Sequence, residues 1–380
     1  MQMLVLGAGR QGSACAYDLL ETTDARVGLA DRVLHDLPGF LEPWVGDRLE
    51  RIELDVRDEQ AVARGFEGWD AVMSAVPYYF NFDLARLAVE AGAHFADLGG
   101  NTEIVRQQET LQDRAAERGV SVVVDCGLAP GMVNILAADG IRRLDTVEAV
   151  QLFVGGLPQD PEPPLNYQVV YSLEGALDYY TTPSWVVRDG VPIQVDPLTE
   201  LEDVEFPEPL GTLEAFHTAG GLSTMPWAFE GRVNRMEYKT LRYPGHAEIM
   251  RVIRELGLLD DEPLQVKDVT VRPRDVFIAT VAPKLRKPEG HDLVALKVVV
   301  TGTQERESRV RRYVLLDSYD TENRISAMMR TTGFSLSIVG QMQVAGAAGT
   351  AGVHTAFEAI PSESYIEELR RRDIVIDVTE

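Results

Sequence analysis

The chain opens on a short apolar run, Met3-Leu4-Val5-Leu6, that stops at Gly7. An uninterrupted run of this length fits a parallel strand buried on both faces, because helices cover both sides of such a sheet. Over residues 14–20 the apolar positions recur at helical spacing, and from there the two kinds of segment alternate. Further strand-like runs fall at 27–30, 52–54, 71–75, 94–96 and 121–124, with helical patterns near 59–67, 81–91 and 102–118 between them. Six strands separated by helices predict an α/β fold with a Rossmann-type, doubly wound parallel sheet. Right-handed crossovers leave few ways to wind it.

Beyond Gly127-Leu128-Ala129-Pro130-Gly131 the pattern changes. Residues 132–142 read as a helix and 147–154 as a strand. The breaker cluster Pro161-Glu162-Pro163-Pro164 follows, and then a polar stretch to about 210. Strand patterns return at 234–241, 293–301 and 309–316, with a helix near 246–256. This is an α+β pattern with a mixed sheet. Residues 325–345 read as a helix rich in small residues that returns to the first domain. The expected organisation is a nucleotide-binding domain over 1–130, completed by 325–360, and a substrate-binding and oligomerisation domain over 131–324. Gly346, Gly349 and Gly352 repeat a phosphate-loop spacing, but they follow a helix rather than a strand and read as a loop.

The chemistry of the first domain lies in Gly7-Ala8-Gly9-Arg10-Gln11-Gly12, a G-x-G-x-x-G between the first strand and the first helix. Gly7 permits a tight turn, Gly9 lets the backbone approach a pyrophosphate, and Gly12 allows close helix–strand packing. Arg10 and Gln11 open the helix, whose N-terminal N–H groups and dipole favour phosphate. Asp31 stands nineteen residues after Gly12, where a carboxylate accepts both adenosine ribose hydroxyls. Asp31 would repel a 2′-phosphate and so favours NAD, while the adjacent Arg32 leaves NADP open. Asp55 follows the third strand and either borders the adenine or serves as a turn residue. Pro77 follows the fourth strand, near where the order of the sheet should reverse and the nicotinamide should lie.

Composition narrows the class of partner. Of 380 residues, 36 are basic and 60 acidic, a net charge of −24, which argues against nucleic acid and anionic membranes because both are polyanions. Two cysteines cannot form a disulfide framework and point to a reducing, cytoplasmic setting. No apolar run approaches the roughly 20 residues of a membrane span, and no leader pattern opens the chain. The expected partners are a small amino-acid substrate and further copies of the chain in a homo-oligomer, since the strands near 293–316 present an alternating face.

Polar candidates cluster at 214–221 and 237–246, the second packing Lys239, Arg242, two tyrosines and His246 into ten positions. If the second cluster begins as a strand, Lys239 and Leu241 share one face while Thr240 and Arg242 share the other. Arg242 could clamp a carboxylate through two parallel hydrogen bonds. Among the histidines at 35, 94, 217, 246, 291 and 354 no pair has metal-ligand spacing, and His217 is the one nominated for chemistry because glycines beside it permit close approach. Asp97 ends the fifth strand, where ligands bind in such sheets, and is either an acid–base group or a turn-fixing aspartate.

Taken together, 7–12 with Asp31, Asp97-Leu98-Gly99-Gly100, Gly127-Leu128-Ala129-Pro130-Gly131-Met132 and Thr240-Leu241-Arg242-Tyr243 resemble the saccharopine dehydrogenase superfamily. Pro161-Glu162-Pro163-Pro164-Leu165, Ser172-Leu173-Glu174-Gly175, 214–221, 237–248 and Arg272-Pro273-Arg274-Asp275-Val276 resemble its L-lysine 6-dehydrogenase branch. That resemblance implies NAD-dependent oxidation of the terminal carbon of L-lysine to an imine. Hydrolysis would give ammonia and 2-aminoadipate 6-semialdehyde, which cyclises to a piperideine carboxylate. Saccharopine reductases carry an aspartate at the place of Ala129, so acid–base work done there is absent here. On this reading Asp97 or His217 accepts the amine proton and Lys239 tunes the amine or orients water. Arg242, Thr218 and Tyr79 contact the substrate. The alternatives are a dehydrogenase acting on a secondary amine such as saccharopine, and a dinucleotide-binding redox sensor without turnover.

Overall fold

The computed structural model describes residues 1–33, 36–169, 173–287 and 290–380, so His35 and Ser172 lie outside the described residues. The chain divides into two units. The first comprises Met1–Arg143, Asp320–Ile325 and Met329–Ile376, and the second Leu144–Tyr319, Ser326–Met328 and Asp377–Glu380.

In the first unit six parallel strands follow the predicted runs: β1 (Gln2–Leu6), β2 (Arg26–Asp31), β3 (Leu49–Glu53), β4 (Ala71–Ser74), β5 (His94–Asp97) and β6 (Ser121–Val124). Their order is β6-β5-β4-β1-β2-β3, with the reversal between β1 and β4 that defines a doubly wound sheet. The apolar runs are continuous because both faces are covered: Leu4, Leu6, Val72, Phe95 and Val122 all sit in one core. Full burial of each such side chain contributes roughly 1.5–3 kcal/mol. A seventh strand, Gly352–Thr355, pairs in parallel with β6. The loop expected around Gly346–Gly352 therefore ends at Gly352, and four residues were too few to show a period. The pattern at 102–118 resolves into two helices, Thr102–Glu109 and Gln112–Arg118. Asn101 caps the first, its side chain accepting the Glu103 and Ile104 N–H groups.

Chain returning at 329–344 packs within this unit. Gln343 donates to the carbonyls of Phe95 and Ser121, each at 3.0 Å, and so bridges β5 and β6. Asp18 on the first helix, Arg10–Thr22, is buried beneath Arg372 Nε at 2.7 Å and Ser337 Oγ at 2.6 Å. Removing Arg372 would leave a buried, half-satisfied carboxylate, a change that typically costs about 3–5 kcal/mol.

The second unit is built on a mixed sheet. Its strands are β7 (Thr146–Pro158), β8 (Ser184–Arg188), β9 (Val191–Val195), β10 (Glu202–Glu205), β11 (Thr212–His217), β12 (Val233–Arg242), β15 (Asp292–Gln304) and β16 (Glu307–Ser318); β13 (Leu264–Val266) and β14 (Val269–Val271) form a separate hairpin. The main order is β10-β11-β12-β7-β15-β16, with a last strand, Asp377–Thr379, antiparallel on β16, β8 on β12 and β9 on β8. Only β12 and β7 run parallel within this path. The stretch read as polar chain to about 210 contains helix Leu173–Thr181 and β8 to β10. Alternation gives the sheet two distinct cores. Leu213, Ala215, Leu241, Phe153 and Ala295 pack on one face, and Phe216 joins Leu165, Tyr180 and Met250 on the other.

Candidate functional site

The glycine loop after β1 is a backbone cradle. Gly7 has φ +94°, and a Cβ there would lie 2.9 Å from the Ala75 carbonyl oxygen. A Cβ on Gly12 would fall 1.8 Å from the Gly7 oxygen, so helix and strand meet only if both positions lack side chains. Gly9 faces open space, with nothing within 4 Å of its Cβ position, and no side chain caps the helix that starts at Arg10. Unfilled space before uncapped N–H groups is what a pyrophosphate requires. Asp31 Oδ2 accepts the Ala8 N–H at 2.8 Å, which fixes the carboxylate at the loop. Gln11 carries a second sign of a ligand: its amide oxygen and nitrogen are both buried without a hydrogen-bond partner. These residues fit a nicotinamide dinucleotide, with the pyrophosphate at Gly9–Gly12 and the adenosine ribose at Asp31.

Around the cradle, Asp55 is partly exposed and paired with Arg57. Pro77 leads β4 into a short turn, Tyr78–Phe80, on which Tyr79 is 59% exposed. Asp97, at the end of β5, is sealed from solvent. Oδ1 accepts the Gly99 N–H at 2.7 Å and the Asp125 N–H at 3.4 Å, and Oδ2 accepts Gln108 Nε2 at 2.7 Å. Burial lifts its pKa to about 6 against the pull of these donors. Its contacts are those of a clasp between the ends of β5 and β6.

In the second unit, β11 and β12 pair antiparallel with His217 opposite Lys239, Phe216 opposite Thr240 and Glu214 opposite Arg242. The nominated residues therefore divide between the two faces of the sheet. His217, Lys239 and Glu237 share one face. Lys239 is buried and spends its ammonium on Glu202 at 2.6 Å and the Glu200 carbonyl at 2.7 Å. His217 Nε2 lies 3.2 Å from a Glu200 oxygen without hydrogen-bond alignment, and burial holds the ring's pKa below its ordinary value. Ligand atoms of Glu200, His217 and Glu237 fall within 4.8 Å of one another, a grouping that His and Cys spacing along the chain does not reveal. Arg188 already bridges the two carboxylates at 3.0 and 2.8 Å, and Arg235 adds a contact to Glu237 at 3.0 Å. Those guanidinium groups neutralise the carboxylates that a divalent cation would need.

Arg242 and Thr240 belong to the other face. Arg242 is 3% exposed, donates to the Leu241 carbonyl at 2.8 Å and lies 4.8 Å over the Tyr167 ring. Thr240 and Thr218 share a hydroxyl–hydroxyl bond of 2.7 Å. Tyr180 reaches His246 Nε2 at 3.1 Å, while His246 Nδ1 sits 3.0 Å from the Leu165 carbonyl, so the ring is neutral with its proton on Nδ1. Burial, and then the charge of Arg242, push His246 down to about 3. Burial likewise pushes Tyr167 up to about 12. Glu214 caps the helix His246–Glu255 by accepting the Gly245 and Ala247 N–H groups at 2.8 and 2.6 Å. Beside Tyr167 opens a cavity of about 300 Å³ that also carries Asp160, Glu162, Lys287 and His291. Tyr167 and Tyr180 escaped the sequence reading because no local spacing links them to Arg242.

A doubly wound sheet with this glycine loop and a carboxylate at the end of β2 defines a dinucleotide-binding domain. Two family models match the chain: the saccharopine dehydrogenase NADP binding domain over residues 3–123 and the saccharopine dehydrogenase C-terminal domain over 127–375. The chain belongs to the saccharopine dehydrogenase family. It is 23% identical over 281 residues to a saccharopine dehydrogenase (NADP+, L-glutamate-forming) of Saccharomyces cerevisiae, covering 70% of this chain and 60% of that protein. To the alpha-aminoadipic semialdehyde synthase of Arabidopsis thaliana it is 22% identical over 334 residues, or 83% of this chain and 31% of the relative. The chain thus spans about a third to three-fifths of the length of these relatives. The fold matches that of apo saccharopine dehydrogenase (L-Glu forming) from Saccharomyces cerevisiae, with TM-score 0.81 at 19% identity over 100% of this chain and 99% of the other. A homospermidine synthase from Legionella pneumophila, solved with NAD, matches with TM-score 0.71 at 11% identity, over 100% of this chain and 91% of that one. Among the described residues no helix is long and apolar enough to cross a membrane.

Proposed function

We propose that the chain oxidises the carbon–nitrogen bond of an amino-acid amine, with the ε-amine of L-lysine as substrate and NAD as hydride acceptor. The observation that carries this reading is the pairing, in one chain of this family, of a dinucleotide cradle with an arginine buried against tyrosine on one face of a sheet. A buried guanidinium in an aromatic setting suits a substrate carboxylate. The cavity beside Tyr167 adds Asp160, which suits a substrate ammonium, while its Glu162 is paired with Lys287 at 2.6 Å.

When bound, the nicotinamide supplies a hydride acceptor. The ε-ammonium loses a proton, its carbon gives up a hydride, and a C=N bond forms; water then releases ammonia and leaves the aldehyde. Only the neutral amine can expel hydride, and a lysine amine has a pKa near 10.4. Ala129 is partly exposed on the turn after β6 and brings no acid–base group. That favours a primary amine over the aspartate-bearing saccharopine pattern. Saccharopine is the second reading, supported by the names of the curated relatives. Steady-state assays with each amino acid and each nucleotide separate the two. Lysine-dependent reduction with stoichiometric ammonia supports the first; reduction with saccharopine alone, releasing glutamate, replaces it with the second.

A further inference from the structure

Two sequence features pull in opposite directions over the choice of nucleotide: Asp31 disfavours a 2′-phosphate and Arg32 favours one. The structure adds a third group on the neighbouring strand's exit. β2 and β3 run parallel with Asp31 opposite Glu53, and the Leu54 N–H donates to the Asp31 carbonyl at 3.0 Å. Chain leaving β3 therefore passes beside the end of β2, where the adenosine ribose of a doubly wound domain lies. Asp55 comes next, and Arg57 grips it. Arg57 Nε stands 2.9 and 3.0 Å from the two carboxylate oxygens, Nη2 joins it on Oδ2, and the Arg57 backbone N–H donates to Oδ1 at 3.0 Å. Both partners face solvent. These bonds to Arg57 and the charge of Arg32 hold the Asp55 carboxyl at about 2, so both guanidinium groups act on one carboxylate at this rim.

We propose that Arg57 is the residue that admits a 2′-phosphate, and that Asp55 occupies its fork until the phosphate arrives. The inference rests on reading the glycine loop as a dinucleotide site. A carboxylate and a phosphate offer a guanidinium the same edge of two oxygens, so one can replace the other without moving the backbone. The exchange is inexpensive, because exposed ion pairs contribute little and the released Asp55 carboxylate is left in water. Asp31 stays fixed by Ala8 and still binds the ribose of NAD. The chain thus takes NAD through Asp31 and tolerates NADP through Arg57.

Dissociation constants of NAD and NADP for the full chain, measured by calorimetry, test this. Wild type should bind both. Arg57→Ala should weaken NADP roughly ten- to a hundredfold and leave NAD within about threefold. Asp55→Asn should tighten NADP, whereas Glu53→Gln, which removes the same charge without touching Arg57, should change it less. Equal effects of Arg57→Ala on the two nucleotides, wild type that binds NAD alone, or loss of NADP binding in Arg32→Ala with Arg57→Ala unaffected would each overturn the assignment to Arg57. Wild type that binds neither nucleotide would instead overturn the dinucleotide reading beneath it.

Discussion

The two units carry their chemistry in different materials. In the first, the site is mostly backbone: a glycine turn, a helix N-terminus and one carboxylate, all set by positions within 25 residues of one another. The second unit makes its polar groups from side chains on neighbouring strands, and strand alternation sorts them onto opposite faces. His217 and Lys239 lie on one face, Arg242 and Thr240 on the other. Closeness in sequence measures proximity in the first unit; in the second, adjacent residues of one strand are the ones held apart.

The sharpest break of this comparison comes at Gly9. A side chain there meets no protein atom, so Gly9→Val should keep its unfolding temperature while losing NAD affinity by about a hundredfold or more, the pyrophosphate being crowded out. Calorimetry and thermal melting together check both halves. In the second unit Arg242→Lys keeps the charge and discards the fork. The KM for the amino acid should rise about tenfold while the NAD dissociation constant stays unchanged.

A third test uses pH. The folded state holds His246 neutral down to about 3, whereas the unfolded chain protonates it near 6.5. The unfolded state binds the extra proton between those values, so stability should fall as pH drops, by about 2 kcal/mol between pH 7 and 5 from this group. Denaturant unfolding of wild type against His246→Gln measures it, and the variant should lose that part of the slope. The smallest effect belongs to the far face. Lys239→Met should lower stability through the loss of the Glu202 pair yet leave kcat within about threefold, since its ammonium is spent on Glu202 and the Glu200 carbonyl. A fall in kcat of a hundredfold with unchanged KM would move Lys239 into the chemistry and erase the contrast between the faces.

Legibility follows the same division. The six parallel strands, the glycine loop and Asp31 were readable because buried parallel strands are continuous apolar runs and the loop has fixed spacing. The strand Gly352–Thr355 was not, since its pairing partner lies more than 200 residues away. In the second unit the alternation of Lys239 and Leu241 against Thr240 and Arg242 was readable within one strand. Placement of His217 opposite Lys239 depends on a register that no local pattern specifies. One missed element carried a plain signal. Arg188 pairs with Val191 across Asp189-Gly190, both at positive φ, which is the two-residue hairpin turn that an Asp-Gly dipeptide announces. Burial rather than sequence position also decides Asp97. The end of a sheet strand marks it for chemistry, but Gln108, Gly99 and Asp125 fill its oxygens.

The most direct test of the central claim is the rate of the first turnover, followed by the absorbance of reduced nicotinamide after mixing enzyme and NAD with L-lysine from pH 7 to 10. Oxidation of a neutral amine predicts a rate at subsaturating lysine that climbs steeply toward the amine's pKa, by up to about tenfold per pH unit. A rate that stays flat across that range, or the absence of any lysine-dependent signal from protein that binds NAD, would contradict it.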